Sequence, residues 1–191
     1  MKRKIFTLLM LAVMLTAFAK QPERGYRGFL DWSNSYRTTA SFTGFPRISS
    51  FYTGISTSHG YQFNPRLFVG AGIDFEHCSK IDSNILALFA QGRTDLQFGK
   101  FTPFGDLRLG YNLAHGGGVY FSPSIGYRFS WNRKMGINIA IGYTLQGYSW
   151  DIYEVKNYYD GQTNGNWGIL EKIGTGHGTA SFFSFRVGID F

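Results

Sequence analysis

The last stretch of the chain, SFFSFRVGIDF at residues 181–191, decides the fold. Apolar side chains stand at every second position: Phe183, Phe185, Val187, Ile189 and Phe191. The positions between them are polar or small: Ser184, Arg186, Gly188 and Asp190. Since successive side chains of a β-strand point to opposite faces, this alternation predicts a strand with one apolar and one polar face that ends on an aromatic residue.

Seven further segments repeat this alternation between residues 26 and 145. In one of them Ile137, Ile139 and Ile141 alternate with Asn138 and Ala140. Tight turns are predicted at 64–65, 99–100 and 131–134, and other connections at 36–50, 76–84, 115–118 and 150–178. Short and longer connections alternate in this way in a transmembrane β-barrel. The pattern predicts an all-β fold, an eight-stranded antiparallel transmembrane barrel with short periplasmic turns and longer extracellular loops.

The polar faces of these segments distinguish a barrel from a soluble β-sandwich. A solvated sheet face should carry many Lys and Glu side chains, whereas these faces carry Gly, Ser, Asn and Gln with isolated Arg and Asp residues. Buried charges are tolerated when they are paired, and the apolar faces carry no charge. We expect a charge network in a filled interior, with ten members on the inner face: Arg27, Arg93, Arg108, Arg128, Arg186, Asp31, Asp74, Asp95, Asp106 and Asp190.

The N-terminus, MKRKIFTLLMLAVMLTAFAK, has the three parts of a secretory signal peptide. Lys2, Arg3 and Lys4 precede an apolar stretch at 5–15 that is too short to span a bilayer, and an Ala-Phe-Ala site at 17–19 follows. The expected domains are a signal peptide at 1–19 and a barrel at 20–191, exported to the bacterial outer membrane.

Composition sets further bounds on this 191-residue chain. Aromatic residues make up 18% and glycines number 25, which suits strands and tight turns. Loss of the signal peptide lowers the net charge from +7 to +4, so the basic balance is partly a targeting feature and no nucleic-acid partner is expected. The single cysteine, Cys78, cannot form an intramolecular disulfide.

The mature chain resembles the small eight-stranded outer-membrane β-barrel domain family of Gram-negative bacteria. The resemblance lies in the eight alternating segments, in GYQFNPRLFVGAGIDF at 60–75, in PFGDLRLGYNL at 103–113 and in the terminal Phe191. It implies that Phe191 is an assembly signal read by the barrel-assembly machinery. It does not imply an activity, because one fold supports many functions.

Two stretches are candidate sites for function. The predicted loop at 150–178 interleaves aromatic and amide side chains, which is typical of adaptable contact surfaces, and its candidate contact residues are Trp150, Tyr153, Tyr158, Tyr159 and Trp167. A glycan or protein ligand would bind there. Basic residues predicted in outer loops could contact lipopolysaccharide phosphates: Arg37, Arg47, Lys80, Lys156 and Lys172.

The strongest catalytic candidate is Glu76-His77-Cys78-Ser79, because His77 and Ser79 would share a strand face beside a carboxylate. The motif is short, and no metal-ligand spacing or cofactor motif accompanies it. We therefore expect a non-enzymatic structural or surface-interaction protein without cofactors. A narrow solute or ion channel, with the charge network Arg93, Asp95, Asp106, Arg108, Arg128 and Arg186 as gate, and a lipid-modifying enzyme using His77 and Ser79 are the alternatives.

Overall fold

The computed structural model describes residues 24–40, 50–80, 83–96, 101–114, 117–130, 135–160 and 165–191. Within residues 39–40, 155–160 and 165–169 it describes the backbone alone. The predicted signal peptide at 1–19 lies outside these ranges. In the part of the chain that the structure describes, no helix is long and apolar enough to cross a membrane.

Eight antiparallel strands form one closed hydrogen-bonded ring in sequence order, as predicted. The strands are β1 Gly25–Ala40, β2 Phe51–Gln62, β3 Leu67–Cys78, β4 Ser83–Asp95, β5 Phe101–Asn112, β6 Gly118–Ser130, β7 Gly136–Asp160 and β8 Gly165–Asp190. The ring closes where β1 pairs with β8. Closure leaves no sheet edge unpaired around the ring.

The two-residue alternation sorts side chains between the interior and the outside of this ring. On β1, Arg27, Phe29 and Asp31 are buried, whereas Leu30 and Trp32 are exposed. The same division holds along the other strands, and it leaves an outward belt of exposed apolar residues: Ile55, Val69, Ile73, Leu88, Leu109, Ile125, Ile139, Ile141 and Phe185. The predicted apolar faces therefore all turn away from the interior.

The tight turn predicted at Asn64-Pro65 is present between β2 and β3. The Asn64 side-chain oxygen accepts hydrogen bonds from the backbone N–H groups of Arg66 and Leu67 at 2.8 and 2.9 Å. The Phe63 N–H donates to the Leu67 carbonyl at 2.9 Å. Asn side chains form such local bonds readily, so this residue fixes the register of the hairpin.

The outer connections differ from the prediction, because several strands run on into them. β1 continues to Ala40, into the connection predicted at 36–50. The connection between β3 and β4 spans only residues 79–82, whereas the prediction was 76–84. The largest difference is at 150–178: β7 and β8 stay paired from Gly147–Thr179 to Asp160–Gly165. At about 3.4 Å per residue this hairpin extends roughly 45 Å beyond the last β6–β7 pair, Tyr120–Gln146.

The C-terminal Phe191 closes the seam between β8 and β1. Its backbone exchanges two hydrogen bonds with Gly28, at 2.8 and 3.0 Å. A Cβ at Gly28 would lie 2.7 Å from the Phe191 ring, so glycine makes room for the ring. The ring also contacts the edge of His59, with 6.2 Å between centroids. The terminal aromatic residue is thus part of the ring closure, whatever role it has in assembly.

The closeness of the strands at Gly110 gives a stability prediction. A Cβ there would overlap the Leu88 carbonyl oxygen and crowd Phe89, whereas a Cβ at Gly92 meets nothing within 4 Å. We expect Gly110→Ala to cost about 1–3 kcal/mol of unfolding free energy and to lower refolding yield. Gly92→Ala should change it by less than about 0.5 kcal/mol. Urea titration in detergent, with heat-modifiable gel mobility marking the folded ring, measures both, and equal behaviour of the two variants would contradict the predicted strand packing.

Candidate functional site

A cluster of charges fills the interior near the chain termini, and we call it the termini-side cluster (Arg27, Arg93, Asp95, Arg128, Asp190). The fully buried Asp190 accepts hydrogen bonds from Arg27 at 3.1 Å and from Arg128 at 2.7 Å. Asp95 lies 3.3 Å from Arg27 and 3.2 Å from Arg93. Every charge in the cluster therefore has an opposite charge beside it, as burial requires.

A second, central cluster (Asp31, Asp106, Arg108, Arg186) lies further along the interior. Arg108 contacts Asp31 at 2.5 Å and Asp106 at 3.4 Å. Asp106 also lies 3.3 Å from Arg186. Gln91 donates a further hydrogen bond to Asp106. Charge-assisted bonds of this kind are stronger than bonds between neutral groups. They hold the side chains of the central cluster in place inside the ring.

Aromatic rings pack against the guanidinium groups of both clusters. The Arg93 guanidinium carbon lies 3.5 Å from the centroid of Phe104 and 4.9 Å from that of Phe29. Arg108 lies 4.8 Å from the centroid of Phe89. Phe29 and Phe68 meet edge to face with 4.9 Å between centroids. These cation–π and ring contacts fill the space that the ion pairs leave.

The far end of the interior is closed by apolar side chains, which we call the outer plug (Tyr52, Cys78, Ile85, Ala180, Phe182). All five are buried, and Tyr148 packs against them. Tyr52 and Phe182 meet edge to face at 5.4 Å. The interior thus ends in a packed layer on the side of the β7–β8 hairpin.

Two carboxylates lie between the outer plug and the central cluster. Asp74 accepts a hydrogen bond from the Tyr120 hydroxyl at 2.9 Å, and Glu76 accepts one from Ser35 at 2.9 Å. Among the described residues, neither carboxylate forms an ion pair with an arginine. They are held by hydroxyl groups, unlike the four paired aspartates of the two clusters.

The space left inside the ring is small. A cavity between Arg93 and the central cluster, lined also by Gln91, Phe104, Asn138 and Ala140, leaves about 10 Å³ for the centre of a water molecule. About 10–15 Å³ is the room that one water needs. At this level of the ring the packed side chains therefore leave room for about one water molecule and no wide passage.

The residues of the predicted charge network lie in two separate groups of ion pairs. Arg93, Asp95 and Arg128 belong to the termini-side cluster, and Asp106, Arg108 and Arg186 belong to the central cluster. Sequence reasoning missed the amide groups that complete them, such as Asn138, which donates to Asp190 at 3.0 Å and accepts from Arg93 at 2.8 Å. The signal was available, since Asn138 stands at an inward position of its alternating strand.

The predicted catalytic arrangement at residues 76–79 is not assembled. Glu76 turns into the interior, because it continues the inward alternation of Asp74, and so it lies on the opposite strand face from His77. His77 instead lies 2.7 Å from the Asn84 side-chain oxygen. β3 ends at Cys78, which places Ser79 in the turn and off the strand face of His77. The described residues contain no group of three or more His, Cys, Asp or Glu side chains that could hold a metal ion.

The candidate contact residues lie on a two-stranded hairpin and not on a loop. Trp150 shares the inward face of β7 with Gln146 and Tyr148. Tyr153 is exposed and lies on the opposite side of the hairpin, where its hydroxyl is 3.5 Å from Asp151. The side chains of Tyr158, Tyr159 and Trp167 lie outside the described residues. Trp150 and Tyr153 therefore do not form one surface.

The basic residues predicted to face lipopolysaccharide also separate. Lys172 forms an exposed 2.6 Å ion pair with Asp151, and their hydrogen bond holds the pKa of Asp151 below its ordinary value. Arg37 turns inward, with its guanidinium carbon 5.8 Å from the centroid of the Tyr148 ring. Lys80 is exposed in the β3–β4 turn. Arg47 and the Lys156 side chain lie outside the described residues.

Comparison with known proteins bears on the fold. No protein-family model matches the chain, and a search of curated proteins finds no match. The crystal structure of Neisserial surface protein A (NspA) overlays with a TM-score of 0.56 at 13% identity, covering 87% of this chain and 96% of NspA. The chain thus has the eight-stranded fold of small outer-membrane barrels, as the sequence resemblance predicted.

A second structure, the outer membrane protease OmpT from Escherichia coli, overlays less well. Its TM-score is 0.38 at 8% identity, with 92% of this chain and 99% of OmpT covered. An overlay at this level supports no argument about chemistry.

The role of Asp190 can be tested by removing its charge. Asp190→Asn leaves Arg27 and Arg128 without their shared carboxylate in the buried interior, so we expect a loss of about 3–5 kcal/mol in unfolding free energy. Urea titration of the protein in lipid vesicles gives the value. The matched control is Asp151→Asn, which removes an exposed carboxylate and should leave the titration midpoint unchanged. A wild-type midpoint for Asp190→Asn would show that the cluster does not hold the ring.

Proposed function

We propose that this protein is a non-enzymatic barrel of the Gram-negative outer membrane that contacts extracellular molecules through its β7–β8 hairpin. The observation that carries the proposal is the contrast between the two parts of the ring. The interior is filled by paired charges and aromatic rings, while β7 and β8 continue together to Asp160 and Gly165, far beyond the strands beside them.

The membrane location is supported by the outward surface. The apolar belt described above covers strands on all sides of the ring, and at the level of this belt the charged side chains of the strands lie in the interior. Exposed apolar residues in such number are costly in water and favourable in hydrocarbon. Together with the predicted signal peptide, this supports an orientation with the termini in the periplasm, the hairpin outside the cell, and the belt against membrane lipid and lipopolysaccharide. Assembly through the terminal Phe191 remains part of this proposal.

The interior argues against the channel alternative. A pore needs a continuous water-filled path, whereas the space between the two arginine clusters holds about one water. The enzyme alternative loses its geometric support, because Glu76 and His77 lie on opposite faces of β3. A surface interaction needs neither a pore nor a catalytic group.

Planar-bilayer recording tests the channel alternative directly. We expect the refolded mature protein to give no conductance steps, because the two arginine clusters and the outer plug block the interior. Reproducible steps in the wild type, with an amplitude that changes in Arg108→Gln, would contradict this expectation. They would assign a conducting role to the central cluster.

Shortening the hairpin tests the proposed function itself. Replacing residues 148–178 by an Asn-Gly turn leaves the Gly147–Thr179 pair to flank the turn and keeps every β7 and β8 residue that pairs with β6 or β1, so the ring should fold and keep its heat-modifiable mobility. Cells producing this variant should lose the binding that wild-type cells show to an array of immobilised glycans and host proteins.

The matched control for this variant replaces the short β3–β4 turn at 79–82 by Asn-Gly and should leave the binding unchanged. The proposal fails if hairpin-less and wild-type cells bind the array equally. It also fails if neither binds any member of the array above the level of cells without the protein.

A further inference from the structure

The inner face of the β7–β8 hairpin carries two aromatic rings opposite two glycines. Tyr148 pairs with Gly178 and Trp150 pairs with Gly176 across the two strands. A Cβ at Gly178 would lie 2.8 Å from the Tyr148 ring, and one at Gly176 would overlap the Trp150 ring. The rings therefore lie down across β8, and they do so because these glycines have no side chain.

The two rings form one gently bent surface, which we call the aromatic platform (Tyr148, Trp150). Their centroids are 5.6 Å apart and their planes differ by 37°. A Cβ at Gly178 would also lie 3.2 Å from Trp150, so this ring covers parts of two glycines. Both residues are half-buried, and Tyr148 also packs against the outer plug, so each ring is partly exposed to solvent. The backbone of β8 supports the platform from below and limits ring rotation.

Arg37 lies beside this platform. Its guanidinium carbon is 5.8 Å from the centroid of Tyr148, and it reaches this position from β1 on the far side of β8. Its buried Nε has no hydrogen-bond partner among the described residues. Arg37 forms no ion pair with a carboxylate of the described residues, so the outer nitrogens of its guanidinium group can bind an acidic ligand.

We propose that the aromatic platform and Arg37 bind an acidic pyranose, a sugar ring that carries a carboxylate. This inference rests on the proposed function and specifies the ligand of the same hairpin. The faces of aromatic rings are electronegative, so they attract the polarised C–H groups on one side of a sugar ring. A guanidinium group binds a carboxylate through paired N–H donors. The platform thus orients the ring, and Arg37 selects the charge.

The position of the platform indicates a glycan that comes from the medium. Tyr148 and Trp150 share the inward face of β7, so they point over the mouth of the ring and towards its axis. Exposed polar residues occupy the outward face of the hairpin instead, among them Thr175 and His177. Lipopolysaccharide surrounds the barrel from outside and meets that outward face. A ligand on the axis arrives from the extracellular side.

Methyl β-D-glucuronide is a suitable probe, because methyl β-D-glucoside is the same ring without the carboxylate. Full-length mature protein in nanodiscs is titrated with each sugar by ligand-observed saturation-transfer NMR. We expect Trp150→Ala to weaken binding of both sugars at least about tenfold, a change equal to about 1.4 kcal/mol. Arg37→Gln should weaken binding of the glucuronide alone. Trp150→Phe, which keeps a ring, should recover part of the affinity.

His177→Ala is the matched control, because His177 is an exposed residue with a ring side chain on the outward face of the same hairpin. It should bind both sugars as the wild type does. Heat-modifiable mobility confirms that each variant is folded. Absence of glucuronide binding by the wild type overturns the inference, as does equal loss in Trp150→Ala and His177→Ala. If Arg37→Gln weakens binding of both sugars equally, Arg37 does not recognise the carboxylate, and that part of the inference is wrong.

The hairpin-less variant separates this inference from the proposed function. One outcome is that cells lose binding to the array when the hairpin is shortened and keep it in Trp150→Ala and Arg37→Gln. In that case the hairpin is a contact surface, and the inference that it binds an acidic sugar is wrong. If the shortened variant also binds as the wild type does, both proposals fall together.

Discussion

Pairing of charge inside a closed ring is the constraint on which this structure depends. Eight strands enclose an interior that side chains can just fill, and the remaining space is too small for the water that would solvate an isolated ion. Asp190 therefore lies between Arg27 and Arg128, and Asp106 between Arg108 and Arg186. A register slip of one residue would turn these charges to the apolar outside. The ion pairs thus fix strand register as well as filling the ring.

The same filling has a consequence for where interaction can occur. Between the termini-side cluster and the outer plug, the inward positions are occupied by groups that already bond one another. A ligand entering the ring would have to displace charge-assisted bonds, which is unfavourable unless it replaces them. The hairpin is under no such constraint, because from Gly147 onward β7 pairs with β8 alone. Residues that contact a ligand can therefore be accommodated on the hairpin without loss of interior ion pairs.

The eight-stranded ring and its inner and outer faces could be predicted from the sequence, because period-two alternation is strong wherever one face is apolar. Prediction failed where that contrast disappears. Beyond Gln146 the hairpin has glycine on one face and Thr175, His177 and Thr179 on the other, which resembles a loop in composition. Glu76 was placed beside His77 by proximity in sequence, although two more steps of alternation from Asp74 turn it inward. The alternation shows that Asn138 faces inward, but its partners Arg93 and Asp190 lie on other strands, and no local pattern encodes those contacts.

The glycines of the hairpin explain how a two-stranded ribbon persists beyond the ring. An isolated hairpin is marginal in water, since it has no second layer to cover it. Here Tyr148 and Trp150 supply that layer by lying across Gly178 and Gly176, in the way that an aromatic residue compensates for a glycine on a neighbouring strand. The Lys172–Asp151 pair joins the strands on the opposite face. Covering the glycines uses one side of each ring, and both rings lie on the inward side of the hairpin. The arrangement that holds the ribbon together is also the one that presents a flat aromatic surface beside Arg37.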